Sequence, residues 1–373
     1  MPHEFQLGHG GPRTDELRSG AFRCNSRNGL ATSARLLIEA LPKEVQGRVL
    51  TGLSREGAVA LVAGTLYGAA AVHDHHFDAY VAARARTTLE RHGLGACTVA
   101  AADIPAGPFS LVALPFEARA DSLLARDLLE AAHDALVPGG RLIAATDGGH
   151  KWLFEAVQHV FRKADLLLIP EQRGAVILAK RLDGPARSKC RRHAFSVQHG
   201  DTTFSITTRP GVFSHARLDR GTTALLQYAP KNHAGPILDL GCGAGTLGIA
   251  VSAPGGEGLV LVDSNARAVA LAAENLVANG RASGQALLRT DLEDLPELPY
   301  TLALANPPYF GGGRIAESFA AVASARLADD GVMMLVAKDV ARHQPILERC
   351  FAAVSVQMFE DYGVFRAAVP RRS

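Results

Sequence analysis

The segment Leu238-Asp239-Leu240-Gly241-Cys242-Gly243-Ala244-Gly245-Thr246 is an apolar strand that ends in a glycine-rich turn opening a helix. Such a turn needs dihedrals that side chains resist, and it leaves the backbone open to a ligand. Pro236 to Leu240 therefore reads as one strand and Leu259-Val260-Leu261-Val262-Asp263 as the next. Ala266 to Asn279 carries Ala, Leu and Val at helical spacing and stops at Asn279-Gly280. Further strands are expected at Gln285 to Arg289, Thr301 to Ala305 and Val332 to Ala337, with a helix from about Ala316 to Leu327 closed by Asp329-Asp330-Gly331. Strands separated by helices imply an α/β fold with a doubly wound, mostly parallel sheet covered on both faces.

The first half repeats this pattern weakly. Leu41-Pro42-Lys43 parallels Ala229-Pro230-Lys231, and Val49-Leu50-Thr51 parallels Ile237-Leu238-Asp239. Val72-His73-Asp74 parallels Leu261-Val262-Asp263, and Gly139-Gly140-Arg141 parallels Asp330-Gly331-Val332. The offsets stay nearly constant: 188 between Lys43 and Lys231, 189 between Asp74 and Asp263, and 191 between Gly140 and Gly331. Two copies of one α/β domain are expected, residues 1–180 and 194–373, joined by a basic linker over 181–193. The stretch from Lys180 to His193 holds six Lys or Arg and one acidic residue, either as a solvated linker or as a stripe that contacts phosphates. Ala194 to Thr208 alternates around His199-Gly200-Asp201 and reads as a hairpin.

A length of 373 residues suits two domains, and 47% hydrophobic with 20% charged residues is ordinary globular usage. A formal charge of +2 excludes a polybasic nucleic-acid coat, so any electrostatic footprint is local. Five scattered cysteines without a C-x-x-C pair argue against a disulfide framework and a zinc site, and fit a reducing cytoplasm. The sequence has no evident secretory signal, and its longest uncharged stretch, Gly57 to Val72, is too short to span a bilayer.

Asp263 ends its strand 22 residues after Gly241, where a carboxylate can accept both hydroxyl protons of a ribose. The glycine loop and Asp263 describe a nucleoside site. Gly243-Ala244-Gly245-Thr246-Leu247-Gly248 also satisfies a dinucleotide fingerprint, so NAD and S-adenosylmethionine both remain open at this point. Ala305-Asn306-Pro307-Pro308-Tyr309 discriminates between them. The two prolines fix the backbone and remove two N–H donors, which leaves carbonyls that only accept hydrogen bonds. Asn306 adds a side-chain carbonyl, and Tyr309 offers a face for a planar base or amide. Such a site suits a neutral –NH2 group receiving a methyl, and a dehydrogenase has no need of it.

These motifs, with Pro210-Gly211-Val212-Phe213-Ser214 and Leu218-Asp219-Arg220-Gly221-Thr222 upstream, resemble the bacterial ribosomal RNA guanine-N2 methyltransferases of the RsmC/RlmG type. The resemblance is strong from about Thr208 to Phe365 and architectural before that. It implies two tandem Rossmann-like class I methyltransferase domains, of which only the second binds S-adenosylmethionine. It places Asp239, Gly241, Cys242, Gly243 and Gly245 around the methionine part, Asp263 and Ser264 at the ribose, and Asp291 near the adenine. Asn306, Pro307, Pro308 and Tyr309 fall on the target base, with Asn306 also beside the cofactor. The family usually has Phe followed by His where Tyr309 and Phe310 stand here. Asn-Pro-Pro-Tyr also occurs in adenine-N6 and protein-glutamine methyltransferases, which leaves the acceptor less determined than the reaction.

The implied function is methylation of a guanine N2 amine in ribosomal RNA, 16S before 23S, by a cytoplasmic monomer without metal or membrane. The partner is the RNA or a ribosomal subunit. A non-catalytic RNA-binding or assembly factor on the same fold is the alternative of another class. The first copy has Thr51, Leu53 and Arg55 where the second has Asp239, Gly241 and Gly243, so no cofactor is expected there. His73-Asp74-His75-His76 reads as packing rather than metal ligation, Cys242 as a small residue rather than a reactive thiol, and Trp152 as a packing residue.

Overall fold

The computed structural model describes residues 30–55, 57–117, 121–169, 174–184, 186, 191–308 and 312–371. The chain divides into two units, 1–191 and 192–373. In the first, β1 (Val49–Gly52), β2 (Val72–His76), β3 (Thr98–Ala100), β4 (Phe109–Phe116), β5 (Leu136–Thr146), β6 (Ala164–Ile169) and β7 (Gly174–Lys180) form one sheet in the order β3-β2-β1-β4-β5-β7-β6. The strands from β3 to β5 are parallel, and β7 runs antiparallel to both β5 and β6.

The second unit opens with the hairpin β8 (His193–His199) and β9 (Thr202–Thr208). Its sheet contains β10 (Ile237–Leu240), β11 (Leu259–Asp263), β12 (Gln285–Leu288), β13 (Tyr300–Ala305), β14 (Leu327–Ala337), β15 (Phe351–Phe359) and β16 (Tyr362–Pro370). Their order, β12-β11-β10-β13-β14-β16-β15, repeats the first sheet strand for strand. The doubly wound α/β class expected from the sequence is the fold observed.

Both faces of each sheet are covered, which is why the central strands of the second unit, β10, β11 and β13, are largely apolar rather than alternating. Leu238, Leu240, Val260 and Val262 enter one core, and Ile237, Leu259 and Leu261 the other. Asp239 is the polar interruption in this pattern, and it is fully buried. Among the described residues no helix is long and apolar enough to cross a membrane.

Some sequence expectations shift. The helix expected over Ala316 to Leu327 spans Arg314–Arg326, and Asp329-Asp330-Gly331 lies inside β14, where Leu327 pairs with Tyr300 before a register shift. The correspondence between the two copies also moves. Val49 pairs with Val72 and Ile237 with Leu259, so His76, not Asp74, stands where Asp263 does. The helix caps Asp78 and Asn265 keep that same spacing. On β4 and β13, Leu111 and Leu302 are equivalent, which sets Pro115 opposite Asn306. The sequence comparison matched acidic residues by type, whereas backbone pairing sets register. Asp74 instead turns inward, accepting from Thr51 Oγ1 at 2.9 Å and lying 2.8 Å from His76 Nε2.

Of the basic run, Arg181 bonds the carbonyls of Asp134 and Leu136, Arg191 pairs with Glu130, and Arg192 with Glu274. Residues 185 and 187–190 lie outside the described residues.

Candidate active site

The glycine loop leaves β10 at Leu240. Gly241, Gly243 and Gly245 have φ of 72°, 55° and 83°, the left-handed region that L side chains avoid. Gly241 and Cys242 both donate their N–H to the Val262 carbonyl at 2.9 Å, which pins the loop to the end of β11. A Cβ at Gly245 would sit 2.9 Å from Leu261 Cδ1, whereas a Cβ at Gly243 would meet no atom within 4 Å. One glycine thus serves packing and the other keeps space open.

Two carboxylates hold this loop. Asp263 accepts from Gly243 N through Oδ2 and from Asn265 N through Oδ1, each at 2.8 Å. Asp239 lies beneath, its Oδ2 accepting from Gly248 N at 2.9 Å in the helix that follows, while Oδ1 is buried without a hydrogen bond. Burial is the main cause that pushes the Asp239 carboxyl up from 3.8 to about 7; the Gly248 bond opposes the shift and the charge of Asp263 adds to it. A pKa raised by folding means that the fold holds the proton more tightly. The stability this group contributes is therefore complete below pH 4 and is lost as pH rises through about 7, a swing of about 4 kcal/mol. Thermal midpoints of the ligand-free protein should fall more steeply between about pH 4 and 7 than those of D239N, and parallel curves would contradict this.

The Cys242 thiol is held well above its ordinary range by burial first, then by Asp263 and Asp239, so it is not a nucleophile at neutral pH.

Asn306 leaves the end of β13 and faces the glycine loop across a cleft lined by Gly241, Cys242, Gly243, Asp219, Thr222 and Asn306, among others. The cleft has a volume of about 40 Å³. Asn306 Nδ2 donates to Asp219 Oδ2 at 3.0 Å and to Thr222 Oγ1 at 3.2 Å. Pro307 is buried and Pro308 exposed; Tyr309 lies outside the described residues. Asp291, exposed beyond β12, accepts from Glu293 N at 2.8 Å and does not line the cleft, nor does Ser264.

Sequence reasoning gave no site role to Asp219, Thr222 or Phe213. Phe213 is 62% exposed at the cleft, and Ser214 beside it has φ of 60°. The signal available was the Asp-x-x-Thr cap ahead of the helix Arg220–Tyr228.

The first unit carries different residues at the equivalent place. At the position of Gly243 stands Arg55, which forms a 3.2 Å ion pair with Glu117 between the two strand ends that flank the cleft in the second unit. His73 to His76 line β2, and among the described residues no group of three or more His, Cys, Asp or Glu side chains could hold a metal. Trp152 is partly buried against the core.

Comparison with known proteins places these features. The Methyltransferase small domain matches residues 203–366. A Ribosomal RNA small subunit methyltransferase C of Pseudomonas putida KT2440 is 31% identical over 253 residues, 59% of this chain and 74% of that protein. The chain belongs to the ribosomal RNA small subunit methyltransferase C family. The Pseudomonas syringae B728a member is 30% identical over 53% of this chain and 68% of its own length. With the Pseudomonas putida W619 member the match is 34% over 169 residues and spans half of that protein. Among solved structures, the T. thermophilus 16S rRNA N2 G1207 methyltransferase in complex with AdoMet and guanosine aligns with a TM-score of 0.73 at 25% identity, over 93% of this chain and 94% of that one.

Proposed function

We propose that the chain transfers the methyl group of S-adenosylmethionine to the exocyclic N2 amine of a guanine in small-subunit ribosomal RNA, in the cytoplasm, with residues 192–373 as the catalytic unit. The observation that carries this reading is the convergence of Asn306 and the open backbone at Gly243 on one cleft. Membership of the methyltransferase C family and the likeness to a relative complexed with AdoMet and guanosine support the substrate pair.

The residues present fit the cofactor. Gly243 leaves room for a ligand against the loop, and Asp263, whose carboxylate would meet the ribose hydroxyls, ends β11 beside it. Gly241, Cys242 and Asp239 would flank its methionine part, with Ser264 and Asp291 toward the nucleoside. When bound, S-adenosylmethionine supplies a methyl carbon activated by a sulfonium. The amine of guanine is a weak nucleophile because its lone pair is delocalised into the ring. The Asn306 amide oxygen and the Pro307 carbonyl accept its hydrogens, favour a pyramidal nitrogen and offset the charge that develops there. Pro308 stiffens the turn. A base inside a helix cannot enter such a cleft, so the guanine is unpaired or extruded.

The first unit, in this reading, binds no cofactor and supports the second or docks RNA. Calorimetry on the full chain should give one equivalent of S-adenosylmethionine; two equivalents would overturn this. Tritium from labelled cofactor should appear as N2-methylguanosine in small-subunit RNA from a strain lacking the gene. Label in N6-methyladenosine or in glutamine would replace the acceptor, and absence of cofactor binding would point to a non-catalytic RNA-binding factor.

A further inference from the structure

We propose that Asp219 is a positioning residue that fixes the orientation of the Asn306 amide toward the target amine, a role separate from its capping of the helix Arg220–Tyr228. The inference rests on the methyltransferase reading above. A planar amide has two ends of opposite character, and the reaction uses only one of them: an amine that must be activated needs the oxygen, and the –NH2 end would repel it.

The structure selects the end by chemistry rather than by shape. An ionised carboxylate only accepts hydrogen bonds, so the Asp219 Oδ2 atom 3.0 Å from the amide must face its nitrogen. Thr222 Oγ1 takes the second nitrogen proton at 3.2 Å. Both protons of the amide are thus committed to the start of one helix, 87 and 84 positions away in sequence, and the oxygen is left as the group able to serve a substrate. A flipped amide would set its oxygen against a carboxylate.

The same Oδ2 accepts from Thr222 N at 3.0 Å, the bond that caps the helix. Capping requires only that backbone bond; the bond to Asn306 is additional. Gly221 keeps the pair seated. A Cβ there would lie 2.9 Å from Asp219 Oδ2 and 3.1 and 3.2 Å from the Asn306 amide atoms, so any side chain would press on the joint between the two residues.

Three substitutions separate capping from positioning. Serine caps helices well but is too short to reach Asn306, alanine does neither, and asparagine presents one oxygen that can accept both bonds. Single-turnover transfer of labelled methyl from S-adenosylmethionine to small-subunit RNA from a strain lacking the gene should fall roughly ten- to a hundred-fold in D219S and D219A. The KM for RNA and the Kd for cofactor should hardly move, and D219N should retain most of the rate. Thermal midpoints should follow another order, with D219S near wild type and D219A lower. A wild-type rate in D219S overturns the proposal, as does a loss in each variant proportional to its loss of stability. If the wild type itself transfers no methyl to RNA, the methyltransferase reading fails and the tie is judged separately. Side-chain amide proton exchange of Asn306 in the 15N-labelled full chain should be slow in wild type and D219N and fast in D219S, and equal exchange in all of them overturns the tie.

Discussion

Alanine at Asn306 is expected to lower turnover by roughly a hundred- to a thousand-fold, the scale on which removal of one preorganised hydrogen-bonding group from a transition state is felt. The amide is held by Asp219 and Thr222, and neither its nitrogen nor its oxygen is needed to shape the glycine loop. Cofactor affinity should therefore stay near the wild-type value, and the loss should fall on the chemical step. Single-turnover kinetics with calorimetry of cofactor binding test this, and a rate near wild type rejects the role. Aspartate at the same position is a sharper probe. It preserves size but places a second carboxylate where the amide nitrogen lies 3.0 Å from Asp219. Like charges at that separation cannot both ionise. N306D should be as slow as N306A near neutral pH, because the pair then shares a proton in place of the fixed donor of the amide.

The second large effect divides two glycines that look alike in the sequence. Alanine at Gly243 takes a positive φ at a cost of about 1–2 kcal/mol. Its methyl meets no protein atom, so it projects into space that the reading gives to the cofactor. Affinity should weaken by up to about a hundredfold, equivalent to 1–3 kcal/mol of overpacking against the ligand, with modest loss of stability. Alanine at Gly245 pays a similar backbone penalty but also drives Cβ to 2.9 Å from Leu261 and 3.1 Å from Ile249. It should destabilise the second unit by about 2–5 kcal/mol. Urea denaturation and calorimetry side by side distinguish the pair. Equal stability losses, or unchanged affinity in G243A, would contradict the division of labour.

Much of this site was legible in the sequence because the signals are local. Gly241 to Thr246 joins β10 to its helix through a turn that only glycines make easily, and Asn306-Pro307-Pro308 carries its acceptor chemistry in adjacent residues. Asp219 was passed over because an Asp before a helix is an ordinary cap. Nothing in its neighbours tells that the side chain also meets a residue 87 positions away. The matching of Asp74 to Asp263 went astray for a related reason: residue type suggested one alignment, and the pairing of β1 with β2 imposes another.

From the sequence alone came the α/β class, the repeat, the glycine loop and the acceptor-rich turn, because each is written within a few consecutive residues as backbone preference or periodicity. Tertiary structure decided which groups the Asn306 amide nitrogen bonds, which glycine is packed and which is open, and why the Asp239 carboxyl is pushed up toward neutrality. Those properties depend on distances between groups remote in the chain and on exclusion of water, and neither exists until the sheet and its helices have closed around them.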